Sequence, residues 1–193
     1  MRFIIKSFLL ALTGLLILNC SENKPGTGKQ SGNNFSSIPD KKMCEILTKE
    51  MMASITGIDF KEETAILHQT DKAKGKYVSQ CGYYSDGGNM GVLVRRFGNS
   101  VFPKTKEALL GEDKTGDPEL DEIQEKALQS CKTVDGLGDA AIFYDLGGIY
   151  NLIVIFNDYY QIHISSYGKG FGFDDKTMEV SGKVAEEVMK ILS

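Results

Sequence analysis

The chain of 193 residues carries few of the side chains that enzymes use as bases, nucleophiles or metal ligands. Its histidines are His68 and His163, and its cysteines are Cys20, Cys44, Cys81 and Cys131. Hydrolysis by serine or cysteine needs a histidine base beside the nucleophile. His163 and Ser165 alternate along one stretch and so share a sheet face, with Ser166 next in line. The strained G-x-S-x-G elbow is absent. The simplest account of His163 is a solvent-facing strand residue; the sharper one is a hydrolase with His163 as base. No residue is assigned a catalytic role. The two histidines are set in neither CxxC nor HExxH spacing, so no metal ligand is assigned. Asp113, Asp117, Glu119, Asp121 and Glu122 do not follow the order of a calcium loop and read as a solvated acidic face. Gly168-Lys169-Gly170-Phe171-Gly172 lies where an anion-binding turn would, but Phe173 fills the last glycine position of a GxGxxG. It reads as a flexible strand-to-helix loop. Gly26-Thr27-Gly28-Lys29 lacks the strand, the helix and the hydroxyl residue of a phosphate loop. No cofactor is expected.

Positioning falls to elements that the hydrophobic periods define. Asp40 reads as an N-cap. Met43, Leu47, Met51 and Ile55 then recur at helical spacing, and Gly57 supplies a stop. A weak strand is read at Thr64–His68. Tyr77–Tyr84 and Met90–Phe97 form a hairpin across Asp86-Gly87-Gly88-Asn89. Lys104–Leu110 reads as one helical piece, and Asp117-Pro118 opens another with Leu120, Ile123, Ala127 and Leu128 on one face. Strands follow at Ala140–Tyr144, Ile149–Phe156 and Tyr159–Tyr167. Leu152-Ile153-Val154-Ile155-Phe156 is apolar on both faces and belongs centrally in a sheet. The last helix begins near Asp174-Asp175, with Val180, Val184, Val188, Ile191 and Leu192 as its buried stripe. The fold class is therefore α+β: an antiparallel sheet of five or six strands with helices packed on it, in the order α-βββ-α-βββ-α. Tyr84-x-x-Gly87-Gly88 and Tyr144-x-x-Gly147-Gly148 echo one another, which two Gly-Gly hairpins explain without a repeat. The tyrosines lie in or beside strands, where an apolar ring with a polar tip suits half-exposed faces and contact surfaces.

The N-terminal residues address the chain. Arg2 and Lys6 give a basic start, and a run from Ser7 to Leu18 is apolar apart from Thr13 and Gly14. That run suits a signal peptide and falls short of the ~20 apolar residues of a membrane span. It ends in Ile17-Leu18-Asn19-Cys20, which resembles the lipobox of bacterial lipoproteins in its looser spirochaetal form, with Asn19 where Gly, Ala or Ser is usual. The resemblance implies a signal peptide over 1–19, diacylglyceryl on Cys20, and location at the cell membrane or outer membrane. Residues 20–38, rich in Ser, Asn and Gly, then form a flexible tether reaching ~23 Å. Residues 39–193 suit a single domain. Without Arg2 and Lys6 the chain has 20 basic and 26 acidic residues, a formal charge of −6. Nucleic acid binding needs clustered basic residues, so it is excluded as a partner class.

A second resemblance rests on Cys44 in an opening helix, Cys81-x-Tyr83 on an early strand, and Val134-Asp135-Gly136-Leu137-Gly138-Asp139-Ala140-Ala141 before a strand pair. This pattern is similar to a family of small actinobacterial-type lipoproteins whose folds look like the PsbP-like α/β/α sandwich. It covers most of residues 40–166, and the acidic insert around Glu112–Glu122 departs from it. Export would place Cys44, Cys81 and Cys131 in an oxidising compartment that favours a disulfide, and three thiols permit three single pairings. The resemblance implies Cys44–Cys81, both in predicted regular elements; Cys131 is then free, and reads most simply as a buried small residue or, more sharply, as a reactive or intermolecular thiol. The family supplies no catalytic residues. The expected function is a membrane-anchored binding module with an envelope or host protein, or a small ligand, as partner. The alternatives are a hydrolase using His163 and a structural envelope component.

Overall fold

A computed structural model describes residues 38–110 and 116–193. The signal 1–19, Cys20 and the rest of the tether except Ile38 lie outside the described residues. So does Asp113 of the acidic stretch. Ile38 itself is 2% exposed and belongs to the core.

Helices α1 (Met43–Ile46) and α2 (Lys49–Thr56) come first. They stand where one continuous helix was expected. The break has a local cause. Leu47 leaves helical geometry, and the Thr48 hydroxyl accepts from Met51 N–H as a fresh N-cap. Gly57 ends α2 in the left-handed conformation, as its sequence position implied. The strands β1 (Glu62–Asp71), β2 (Lys76–Tyr84) and β3 (Asn89–Phe97) follow as a meander. Helices α3 (Lys106–Leu110) and α4 (Pro118–Ser130) are next. Asp117 caps α4 and Pro118 opens it. The chain then enters β4 (Lys132–Thr133), β5 (Ala140–Asp145), β6 (Tyr150–Phe156) and β7 (Tyr160–Tyr167). It closes with α5 (Asp175–Leu192), capped by Asp174 through Thr177 N–H.

The result is α+β with one antiparallel sheet in the order β1-β2-β3-β7-β6-β5-β4. Two corrections follow. The sheet has seven strands rather than five or six, because β4 adds a two-residue edge too short to carry a periodic signal. The opening helical region is split in two, while the second consists of the two pieces read at Lys104–Leu110 and after Asp117-Pro118. The strand that is apolar on both faces, β6, is interior, as read, between β7 and β5. The Gly-Gly echo links the second turn of the first meander to the first turn of the second, so it does not mark a structural repeat.

Alternation gives the sheet two unlike faces. The first bears Val92, Val94, Phe143, Leu152, Val154, Ile162 and Ile164, and α5 seals it with Val184, Ala185, Val188 and Leu192. On β2 the same face presents Tyr77, Ser79, Cys81 and Tyr83, and each is tied to the opening segment. Tyr77 Oη donates to the Lys41 carbonyl at 3.1 Å, and Ser79 Oγ accepts from Met43 N–H at 2.8 Å. Cys81 is joined to Cys44, and Tyr83 Oη donates to the Leu47 carbonyl. These ties hold α1 against β2 and account for the chain leaving the helix at Leu47. They also correct the reading of four of the tyrosines, whereas Tyr84, Tyr150, Tyr159 and Tyr167 are half-buried as read. Tyr77, Tyr83, Tyr144 and Tyr160 are buried, and desolvation pushes the Tyr77 phenol up to about 12 and Tyr83 higher still. In the Val134–Ala141 stretch, Gly138 is required. Its φ is 62°, and a Cβ there would lie 2.4 Å from the Ile155 carbonyl oxygen, which accepts from Asp139 N–H at 2.8 Å.

The disulfide spans a sequence separation of 37, so the chain-entropy model gives it about 3–4 kcal/mol. The double variant Cys44→Ala/Cys81→Ala should therefore melt roughly 10 °C lower by calorimetry. A melting point unchanged by the substitutions would show that the hydrogen bonds along β2 hold the segment unaided.

Candidate functional site

The second face of the sheet is covered unequally. Leu109 and Leu110 of α3 and Ala127 of α4 pack on Ile142, Tyr144, Ile153 and Ile155 at the β5–β6 end. Toward β3 and β7, Leu93, Arg95, His163 and Ser165 remain half-buried. Register assembles a polar row here. Arg95 of β3 pairs with Gln161 of β7, Leu93 with His163, and Ser165 with Asn151 of β6, which pairs in turn with Tyr144 of β5.

Hydrogen bonds fix the row. Asn151 Nδ2 donates to the Ile149 carbonyl at 2.8 Å, which turns its Oδ1 toward His163. His163 Nε2 lies 2.9 Å from that oxygen, so the neutral ring carries its proton on Nε2 and leaves Nδ1 bare. Burial, aided by the nearby positive Arg95, lowers the His163 pKa from 6.5 to about 4. Gln161 is only 5% exposed, and its Oε1 accepts from Arg95 Nη2. The reading of His163 as a solvent-facing strand residue is thus corrected: its ring is half-buried on the interior strand β7 and bonded to Asn151.

Arg95 is the unusual member. Its Nε is buried and meets no acceptor among the described residues, and it forms no ion pair there. Desolvation lowers its pKa, and Tyr144 is the one group opposing that shift. A buried donor without a partner costs about 1–3 kcal/mol, and more when charged. The next residue, Arg96, points to the opposite face and lies over Tyr160 and Tyr159, 5.0 and 5.3 Å from their ring centroids.

The other sequence candidates are placed as follows. His163 and Ser165 share a face, but His163 is hydrogen-bonded to Asn151 and not to Ser165. His68 lies on the first face, its Nδ1 3.2 Å from Ser79 Oγ. Cys131 is a free, half-buried thiol whose pKa burial raises. Asp117 caps α4, and Glu122 pairs with Lys126 at 2.6 Å. The loop read as flexible is pinned: Gly170 N–H donates to the Gly87 carbonyl at 2.6 Å, and Gly172 N–H to Thr177 Oγ1 at 3.0 Å. Among the described residues no group of three potential ligands could hold a metal, and no helix is long and apolar enough to cross a membrane. A cleft of about 420 Å³ lies between Lys104–Glu107 and Thr133–Ile142. Its Lys104 is already paired, 2.6 Å from Asp158 and 3.8 Å from Asp139.

Arg95, Gln161 and Asn151 escaped the sequence reading. The signal for Arg95 was present in Val92-Leu93-Val94-Arg95-Arg96. On an apolar interior strand, two consecutive arginines must point to opposite faces, so one is driven into the sheet's second layer. Compared with known protein families, curated proteins and solved structures, the chain matches none.

The His163 shift carries a sign. Its folded pKa lies below the unfolded value, so between pH 6.5 and about 4 the unfolded chain binds more protons. Folding stability should fall as pH drops through that window, with His163 contributing up to about 1 kcal/mol per pH unit. Denaturant titrations at stepped pH should show a shallower loss for His163→Gln. Parallel curves for the two proteins would mean that the ring titrates as it does in water.

Proposed function

We propose that the chain is a lipid-anchored protein of the bacterial cell envelope that binds a ligand or partner on the open half of its sheet. The observation that carries the binding reading is the buried Arg95 Nε, a donor with no acceptor on a side chain with no counter-ion among the described residues, within a hydrogen-bonded row on a half-covered face. A protein that only needed stability would gain by replacing that charge with an apolar residue. The apolar rim supports the same reading. Phe97 and Ile66 are 41% and 39% exposed, and both belong to this side of the sheet. The anchor reading rests on Ile17-Leu18-Asn19-Cys20 after its apolar run. Lipid on Cys20 would hold the protein at the cell membrane or outer membrane, because each buried CH₂ contributes about 0.8 kcal/mol and two or more chains make attachment durable. The PsbP-like resemblance accords with a sheet that has helices on both faces.

Two measurements test the two halves of this proposal. Intact mass of protein extracted from membranes should begin at Cys20 and include diacylglyceryl; an unlipidated mass starting elsewhere would sink the anchor. For the binding face, p-benzoylphenylalanine at Phe97 should yield a discrete photo-adduct that the same probe at Glu186, on the exposed side of α5, does not. Equal labelling at both positions would remove the binding face.

A further inference from the structure

We propose that the ligand of this face is a small organic carboxylate with an apolar body, whose carboxylate completes the coordination of Arg95. The inference rests on the binding reading above and names the chemistry of that same site.

Charge decides the class. Arg95 brings one positive charge, and no carboxylate among the described residues offsets it. His163 adds none, because its ring stays neutral at physiological pH with the proton on Nε2. Its bare Nδ1 is a hydrogen-bond acceptor. Tyr144 stays protonated, since burial raises its pKa well above the ordinary phenol value. One fixed cation with neutral neighbours matches a monoanion, not a phosphate dianion, which would call for a second cation. Nη2 is committed to Gln161 and Nε is a buried donor without an acceptor, so a carboxylate oxygen that entered beside it would satisfy it. The protein's formal charge of −4 would not draw anions from a distance, so local geometry must select this one.

Register decides the body. Leu93 and Phe97 flank Arg95 on the same face of β3, and Val78 of β2 is its direct cross-strand neighbour. Phe97 packs against Phe102 with ring centroids 6.1 Å apart and still exposes 41% of its surface. A ligand lying along β3 would place its anionic end on Arg95 and its apolar end on Phe97.

The test uses the full-length protein in non-ionic detergent, labelled with ¹⁵N-arginine. Arginine occurs at positions 2, 95 and 96, so the Arg95 Nε signal can be assigned by substitution. The probes are 4-phenylbutyrate and its neutral amide. The acid should move the Arg95 Nε signal saturably, with the amide binding at least about tenfold more weakly, the worth of a charge-assisted hydrogen bond. Arg95→Met should lose the binding. Gln161→Glu supplies an internal counter-ion at the same place, so it should also lose the binding while its melting temperature rises. That variant keeps the test decisive if Arg95→Met fails to fold. An acid and amide of equal affinity would overturn the carboxylate and leave the binding face standing. A Gln161→Glu protein that binds the acid like the wild type would overturn it as well. If neither probe moves the signal up to millimolar concentration, the carboxylate is overturned, and photo-adducts at Phe97 decide the binding face separately.

Discussion

Side chains of a strand alternate between two faces, and in this sheet every interior strand has to satisfy both at once. The seam between β3 and β7 shows what that entails. It joins the two meanders, pairing residues from Asn89↔Tyr167 to Arg95↔Gln161. Val92 and Val94 meet Ile164 and Ile162 on one side of the seam; Leu93 and Arg95 meet His163 and Gln161 on the other. A slip of one residue would send Arg95 into the apolar core under α5 and expose the valines. The cost of that exchange, an unpaired charge in a dry layer, is what holds the register.

The two faces are then finished by different means. On the first, an 18-residue helix lays its apolar stripe along β6 and β7, and the opening segment is tied to β2 by hydrogen bonds and the Cys44–Cys81 bond. Among the described residues its buried side-chain polar atoms are largely satisfied within the chain, with Tyr160 Oη and Ser181 Oγ as the exceptions. On the second, α3 and α4 reach the β5–β6 end and stop. Beyond the reach of that short helix layer the chain has placed amides, a neutral imidazole and a guanidinium, the amides buried and His163 and Arg95 half-buried. Such groups tolerate partial burial when they bond to one another. His163, Asn151 and Gln161 do so; Arg95 does so with one nitrogen and leaves another waiting.

Much of this was legible in the residues. Alternation placed β2, β3, β5, β6 and β7 to within a residue or two, and Asp117-Pro118 and Asp174 announced the starts of α4 and α5. The helix break at Leu47–Thr48 was not legible, because the helical spacing of Met43, Leu47 and Met51 runs through it unbroken. The cause is distant in sequence: Tyr83 claims the Leu47 carbonyl from 36 residues away. The strand β4 was hidden by its length. Tyr77, Tyr83, Tyr144, Tyr160 and His163 were misplaced for one shared reason. Alternation says that two residues face the same way but not whether that way leads to water.

The sequence by itself determined the fold class, the interior place of β6 and the hairpins at the Gly-Gly turns. These follow from local periods and from backbone conformations that glycine adopts freely. It also carried the Cys20 motif. Only the tertiary structure decided which strands become neighbours, and hence that Arg95, Gln161, His163 and Asn151 form one row although the chain scatters them over 69 positions. The physical reason lies in range. Helix and strand periods act between residues two to four apart. The burial and hydrogen bonding that lower the His163 pKa and strand the Arg95 charge arise between residues that only the β3–β7 and β6–β7 pairings bring into contact.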